Sequence, residues 1–304
     1  MDNCKRYPPA ILATCPIPWK EDHELDEPLF RRVVAQLAQN FTRHVYLFGT
    51  AGEGYAVSDR QFESIVGSFR SALSMDARPM IGIISLSLGT IVDRIALGRE
   101  LGFREFQLSL PSWGALTDSE TDRFFAETCG RFPDCRFLHY NLKRAKRVLD
   151  GDAYARLSKA HPNLVAVKMG GEDPAAFADI LTKAPALQCF FTEFGFAAMR
   201  DAHECGLLAA LSACCHKKGL AFHAARGAEL SMRAEEFRMV HRALKGAIDP
   251  MATHMDGVYD KLLIKLEFPE FPLRLLAPYA FAGEDAFLRF VQNLPAGWPT
   301  PRKT

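Results

Sequence analysis

The absences in this chain narrow its function before any motif is read. It has no surplus of charge: 37 Lys and Arg stand against 36 Asp and Glu, a formal net charge of +1. No general basic field is therefore available for nucleic acid or a membrane surface, and neither is expected as a partner. No apolar run approaches the ~18 residues that a membrane span needs. The start, Met1-Asp2-Asn3-Cys4-Lys5-Arg6, has a charged tip but no apolar stretch ahead of a small-residue cleavage site. A soluble, cytoplasmic protein is expected. Eight cysteines are present, but none forms a C-x-x-C pair, and the ligand spacings of a zinc site are missing. Several lie in apolar runs, as Cys189 does in Leu187-Gln188-Cys189-Phe190-Phe191. Buried free thiols are predicted rather than disulfides. Neither a low-complexity tract nor a short-period repeat is visible.

What is there is an alternation. At 304 residues, 48% of them hydrophobic, the chain is ample for two ordinary domains or one large α/β barrel. Short apolar runs alternate with longer amphipathic ones, the pattern of parallel strands with crossover helices. Strand candidates are 10–15, 44–48, 80–84, 106–110, 136–140, 164–168, 187–192 and 207–212. Helices are expected between them, at 28–40, from Ser58, at 91–101, from Thr117, at 153–160, from Asp173 and at 197–205. Ser58-Asp59-Arg60-Gln61 and Thr117-Asp118-Ser119-Glu120 read as capping boxes, in which the two side chains satisfy orphan backbone donors. Asp173-Pro174 supplies a cap and a first-turn proline. Eight strand–helix pairs predict a TIM (β/α)8 barrel over residues 1–220, with residues 221–304 a helical region packed on it. No linker divides the first 220 residues. A doubly wound open sheet is the competing architecture.

Three features fall where such a barrel places its chemistry, at the carboxyl ends of the strands. Phe48-Gly49-Thr50-Ala51-Gly52-Glu53-Gly54 follows strand two, and its glycines allow backbone amides to approach a carboxylate. Tyr140 ends strand five in Leu138-His139-Tyr140-Asn141, where a phenol can hydrogen-bond a reacting amine and pass protons. Lys168 ends the apolar run Leu164-Val165-Ala166-Val167-Lys168. A lysine held there is partly desolvated, which favours the neutral amine, and a neutral amine can attack a carbonyl to form a Schiff base. Each feature alone has an ordinary structural explanation: a βα turn, a core tyrosine, a strand-capping lysine. Their convergence on one rim is the stronger signal.

In order and spacing, Gly49-Thr50-Ala51-Gly52-Glu53, Tyr140-Asn141 and Lys168 resemble the dihydrodipicolinate synthase and N-acetylneuraminate lyase family over roughly residues 8 to 220. The helical tail also suits that family. The resemblance implies a class I, Schiff-base enzyme acting on pyruvate or another 2-oxo acid, with an aldehyde as the second partner. Lys168 would be the nucleophile, Tyr140 the proton shuttle and Thr50 its helper. Substrate-binding positions on this reading are Gly49, Ala51, Trp113, Arg144 and Ala210, with the Thr50 and Ala51 amides holding the carboxylate. No metal or organic cofactor is implied, because the lysine itself supplies the electrophilic activation. A homodimer or homotetramer is expected.

The sequence departs from the family in three places. Ala51 stands where a second hydroxyl residue is common, removing one side-chain bond of about 0.5–1.5 kcal/mol. The proline usual after Tyr140-Asn141 is absent from Leu142-Lys143-Arg144-Ala145-Lys146-Arg147. Arg144 and Lys146 are candidates for binding a second carboxylate, though the basic run equally suits a solvated face. Leu110-Pro111-Ser112-Trp113-Gly114 replaces a tyrosine pair that serves as a proton relay in the synthases. Trp113 is expected to stack on substrate or to wall the site. These changes argue against the lysine-biosynthetic reaction and leave an aldolase, lyase or dehydratase. A catalytically degenerate homologue that senses a keto acid or sugar acid is the alternative. A phosphate-binding isomerase is disfavoured, since Ala213-Cys214-Cys215-His216-Lys217-Lys218-Gly219 makes a poor phosphate cradle.

Overall fold

The computed structural model describes residues 6–248 and 255–299. Eight parallel strands close in chain order into a barrel: β1 (Ile11–Thr14), β2 (Val45–Leu47), β3 (Met80–Ile83), β4 (Glu105–Leu108), β5 (Arg136–Asn141), β6 (Leu164–Met169), β7 (Gln188–Phe191) and β8 (Gly206–Ala209). Helices alternate with them: α1 (Glu27–Asn40), α2 (Asp59–Ala72), α3 (Leu88–Glu100), α4 (Asp118–Phe125), α5 (Gly151–Ala160), α6 (Pro174–Lys183), α7 (Glu193–Met199) and α8 (His216–Ala224). After them come α9 (Gly227–Ala247), α10 (Gly257–Ile264) and α11 (Glu284–Gln292). This is the TIM barrel with a helical C-terminal part that the alternation predicts.

Local chemistry explains most boundaries. Both predicted capping boxes form: Ser58 and Gln61 open α2, and Thr117 and Glu120 open α4. Asp173 accepts from the Ala176 amide at the start of α6. α3 begins before the predicted residue 91 because the Ser87 hydroxyl accepts from the Thr90 amide and nucleates the turn earlier. α7 begins before its predicted span and ends within it, entered directly from Thr192. β8 stops at Ala209, short of the predicted Ser212, since a 3-10 turn takes over Leu211–Cys214.

The chain divides into two compact units, residues 1–12 with 78–208, and residues 13–77 with 209–304. In the first, Phe106 stacks on Phe137, and Phe177 packs against Phe191 with ring centroids 4.4 Å apart. At the entry to its strands, Glu105 accepts from Tyr7 Oη and from Arg136, both at 2.8 Å. Charge at the amino ends of barrel strands serves stability rather than chemistry. In the second unit Phe48 stacks on Phe62. Phe237 of α9 meets both Phe222 of α8 and Trp298 edge-on. Arg289 of α11 closes the carboxyl end of α9 by donating to the Ala247 carbonyl. The cysteines among the described residues are free, all buried except the half-buried Cys215; Cys4 lies outside the described residues. No described helix is long and apolar enough to cross a membrane.

Candidate active site

Lys168 and Tyr140 meet because β5 and β6 change register. Phe137 pairs with Leu164, but the next pair is Leu138 with Ala166, so Val165 is passed over as a bulge. Beyond it His139 faces Val167 and Tyr140 faces Lys168. Had the first register continued, Tyr140 would oppose Val167, whose side chain takes the other face of the sheet. The bulge therefore brings the phenol and the amine together, a recurrent use of bulges beside active sites. The extra residue is not wasted: the Val165 carbonyl accepts from the Tyr7 amide at 3.2 Å.

Lys168 is only 3% exposed. Its Nζ lies 3.8 Å from the centroid of the half-buried Tyr140 ring. Burial penalises the ammonium, whereas the aromatic face attracts it. The amine is thus partly desolvated and directed at the ring that carries the expected proton carrier.

Neighbouring residues hold this pair in place. The buried Asn141 side chain donates to the Leu149 carbonyl at 2.8 Å and accepts from the Leu149 amide at 2.9 Å. That two-way clasp ties the end of β5 to the loop before α5. His139 points to the opposite face, with Nδ1 2.6 Å from the Tyr154 hydroxyl of α5. Burial pushes the His139 imidazole down to about 3. It is a neutral core group.

The basic run after Asn141 is partly spent on structure. Residues Lys143–Ala145 form a 3-10 turn that exits through Lys146 at φ 59°. Lys146 Nζ donates to the Trp113 carbonyl at 2.8 Å, and Arg147 donates to the Leu116 carbonyl at 2.6 Å and pairs with Asp118. Two members of the run thus pin the loop after β4. Arg144 sits exposed on the turn. Trp113 is 84% exposed, its backbone held and its indole open to solvent.

The glycine turn belongs to the second unit. Thr50 and Ala51 are buried immediately beyond β2. The turn is closed by hydrogen bonds from the Glu53 amide to the Thr50 carbonyl and from the Gly54 amide to the Gly49 carbonyl. Gly49 is required, because a Cβ there would stand 2.4 Å from Tyr46 Oη. Gly54 is more constrained still: its Cβ would meet the Phe48 carbonyl oxygen at 2.5 Å, a backbone atom that cannot rotate away. Phe48 at φ 61° and Glu53 at φ 52° adopt left-handed conformations that non-glycine residues avoid. Such backbone persists only where its surroundings over-determine it. Ala210 is half-buried in the same unit, between β8 and the 3-10 turn that follows.

One group that the sequence reading overlooked lies beneath this turn. Glu53 and Lys261 form an ion pair at 2.7 Å with both side chains fully buried. Trp19 Nε1 donates to Glu53 Oε1 at 2.8 Å, and the Leu276 amide donates to Oε2 at 2.7 Å. Burial drags the Lys261 amine down to about 8, with the Glu53 carboxylate opposing that shift. Its sequence signal was weak: Lys261 shares the stretch Val258–Leu266 with Asp260 and a second lysine, Lys265.

The sequence profile of the dihydrodipicolinate synthetase family matches residues 8–219. No curated protein shows significant similarity. Among solved structures, the chain is similar to YagE of Escherichia coli K12, a prophage protein of the dihydrodipicolinic acid synthase family crystallised with pyruvate. That match has 13% identity, covers 93% of this chain and 98% of YagE, and has a TM-score of 0.79. Dihydrodipicolinate synthase DapA-2 of Bacillus anthracis aligns at 17% identity over 94% and 97% of the two chains, with a TM-score of 0.79. The synthase of Cyanidioschyzon merolae, solved with lysine bound, aligns at 18% identity over 96% and 98%, also with a TM-score of 0.79. The TM-scores establish a shared fold, and the profile match extends over more than half the sequence. The chain belongs to the dihydrodipicolinate synthetase family.

Proposed function

We propose that this protein is a Schiff-base aldolase, lyase or dehydratase acting on pyruvate or another 2-oxo acid. The observation that carries the reading is the buried Lys168 amine lying over the Tyr140 ring, in register across β5 and β6. In the proposed reaction the Lys168 amine adds to the C2 ketone, and the carbinolamine loses water to give an iminium. The iminium withdraws electrons from C3, which releases a proton to form an enamine. The enamine carbon then adds to an aldehyde. Run in reverse, the same chemistry cleaves the carbon–carbon bond, and loss of a β-hydroxyl yields a dehydratase. Hydrolysis of the final iminium restores the amine. Tyr140 carries protons to and from the carbinolamine oxygen.

The remaining roles belong to the same proposal and rest on the family's motif. Thr50 assists Tyr140, and the Thr50 and Ala51 amides hold the 2-oxo acid carboxylate, with Gly49 keeping that backbone open. Trp113, Arg144 and Ala210 are proposed for the side of the second substrate. The Ser112-Trp113 sequence supports a reaction other than the lysine-biosynthetic one, because no phenol is available there to relay a proton. The protein is proposed to act as a homodimer or homotetramer.

The test is reductive trapping. Incubation with pyruvate or longer 2-oxo acids and borohydride should leave a stable adduct, which peptide mass spectrometry should place on Lys168. No adduct with any acid, or an adduct on another lysine, defeats the proposal. Ala51 and the missing relay tyrosine favour one second reading, a sensor. Such a protein would bind a 2-oxo acid without releasing aldehyde or water.

A further inference from the structure

We propose that Glu53, anchored by Lys261 and Trp19, is a positioning residue that fixes the carboxylate-binding turn. This rests on the Schiff-base reading above and assigns a role to a cluster which that reading does not use. Four segments converge on one carboxylate. Trp19 arrives from the stretch after β1, Lys261 from α10 and the Leu276 amide from the extended chain beyond it, while Glu53 itself closes the turn. Lys261 also donates to the Arg274 carbonyl, so the ammonium bridges the turn to that chain. The amino end of α10 abuts the turn, since a Cβ on Gly257 would lie 3.6 Å from the Thr50 carbonyl oxygen.

A fully buried ion pair contributes little net stability, because the desolvation of both charges offsets their attraction. What it does provide is a defined position. Glu53 stands three residues beyond Thr50, and its amide donates to the Thr50 carbonyl at 3.2 Å. Its left-handed backbone needs support from its surroundings, and the buried side chain supplies part of that support. Releasing the carboxylate lets φ relax and turns the Thr50 and Ala51 amides away from the substrate carboxylate. Tyr140 on β5 and Lys168 on β6 are aligned by their own strand pairing. The predicted signature is weaker substrate binding with the covalent step preserved.

The experiment measures the rate of borohydride trapping against pyruvate concentration, or against whichever acid of the panel labels the wild type. Glu53→Gln keeps an oxygen for Trp19 and Lys261 but presents an amide to the Leu276 N–H. Trp19→Phe removes the indole donor together with part of a fully buried ring. Glu53→Gln should raise the half-saturating concentration about tenfold or more, and Trp19→Phe by a smaller factor. Maximal trapping on Lys168 should stay within about twofold in both. If Glu53→Gln fails to fold, Trp19→Phe decides by the same criterion. Folded variants that saturate at the wild-type concentration overturn the inference while leaving the Schiff-base reading intact. So does a lower maximal rate with unchanged half-saturation. An unlabelled wild type removes both.

Discussion

Lys168 and Lys261 are both almost completely withdrawn from water, at 3% and 0% exposure, yet replacing each by methionine should have opposite consequences. Methionine matches the lysine stem and fills the volume, so such swaps cost below about 1.5 kcal/mol in packing. Lys168→Met forfeits the amine's interactions, among them an aromatic contact of roughly 0.5–2 kcal/mol, but relieves a desolvation penalty of about several kcal/mol. The two effects oppose each other, so the net change should be small. Lys261→Met strands the Glu53 carboxylate in the core with Trp19 and Leu276 as its donors among the described residues. Breaking a buried pair in this way costs about 3–5 kcal/mol. With an unfolding entropy of roughly 2.1 cal/mol/K per residue over 304 residues, that loss lowers Tm by about 5–8 °C. Thermal unfolding followed by circular dichroism gives the stability arm, and borohydride trapping gives the chemical arm. Lys168→Met should keep its Tm within about 2 °C, and should lose the adduct. A Lys168→Met variant that melts as early as Lys261→Met would make Lys168 a structural residue. One that still forms the adduct would remove it from the chemistry.

Two further outcomes follow from groups beside the site. Asn141→Ala leaves both the amide and the carbonyl of Leu149 without their partner, at about 1–3 kcal/mol for each buried group; denaturant titration should show that loss, and trapping on Lys168 should slow as the end of β5 loosens, whereas unchanged stability would refute the clasp. His139 is held neutral in the fold down to about 3, while the unfolded chain takes up a proton below about 6.5. The unfolded state therefore binds more protons in that window, so this residue makes stability fall as pH drops from 6.5 towards 3, by about 1.4 kcal/mol per pH unit. Urea unfolding at several pH values should give a shallower dependence for His139→Gln than for wild type, and coincident slopes would refute the assignment.

How much was legible in the sequence differs from element to element. The strand–helix alternation was readable because each strand is a short apolar run and each crossover carries its own caps. Ser58 with Gln61 and Thr117 with Glu120 needed only local chemistry, and both form. The start of α7 was not legible, because Thr192 makes no side-chain cap and no local signal marks the entry at Glu193. The exposure of the Trp113 indole was not legible either, because solvent exposure of a single loop residue leaves no periodic trace in a sequence. Lys146 was weighed as a substrate contact, but its ammonium is on the Trp113 carbonyl, a pairing between loops that no spacing rule foretells.

The sequence by itself determined the order of elements, the glycine turn, the tyrosine at the end of one strand and the lysine at the end of the next, since each depends on neighbours a few residues away. Only tertiary structure decided that Tyr140 faces Lys168: strand register is set by pairing with another segment, and the bulge at Val165 shifts it by one residue. It likewise decided the union of Glu53 with Lys261, residues far apart in the chain whose charges meet only when folding removes the water between them.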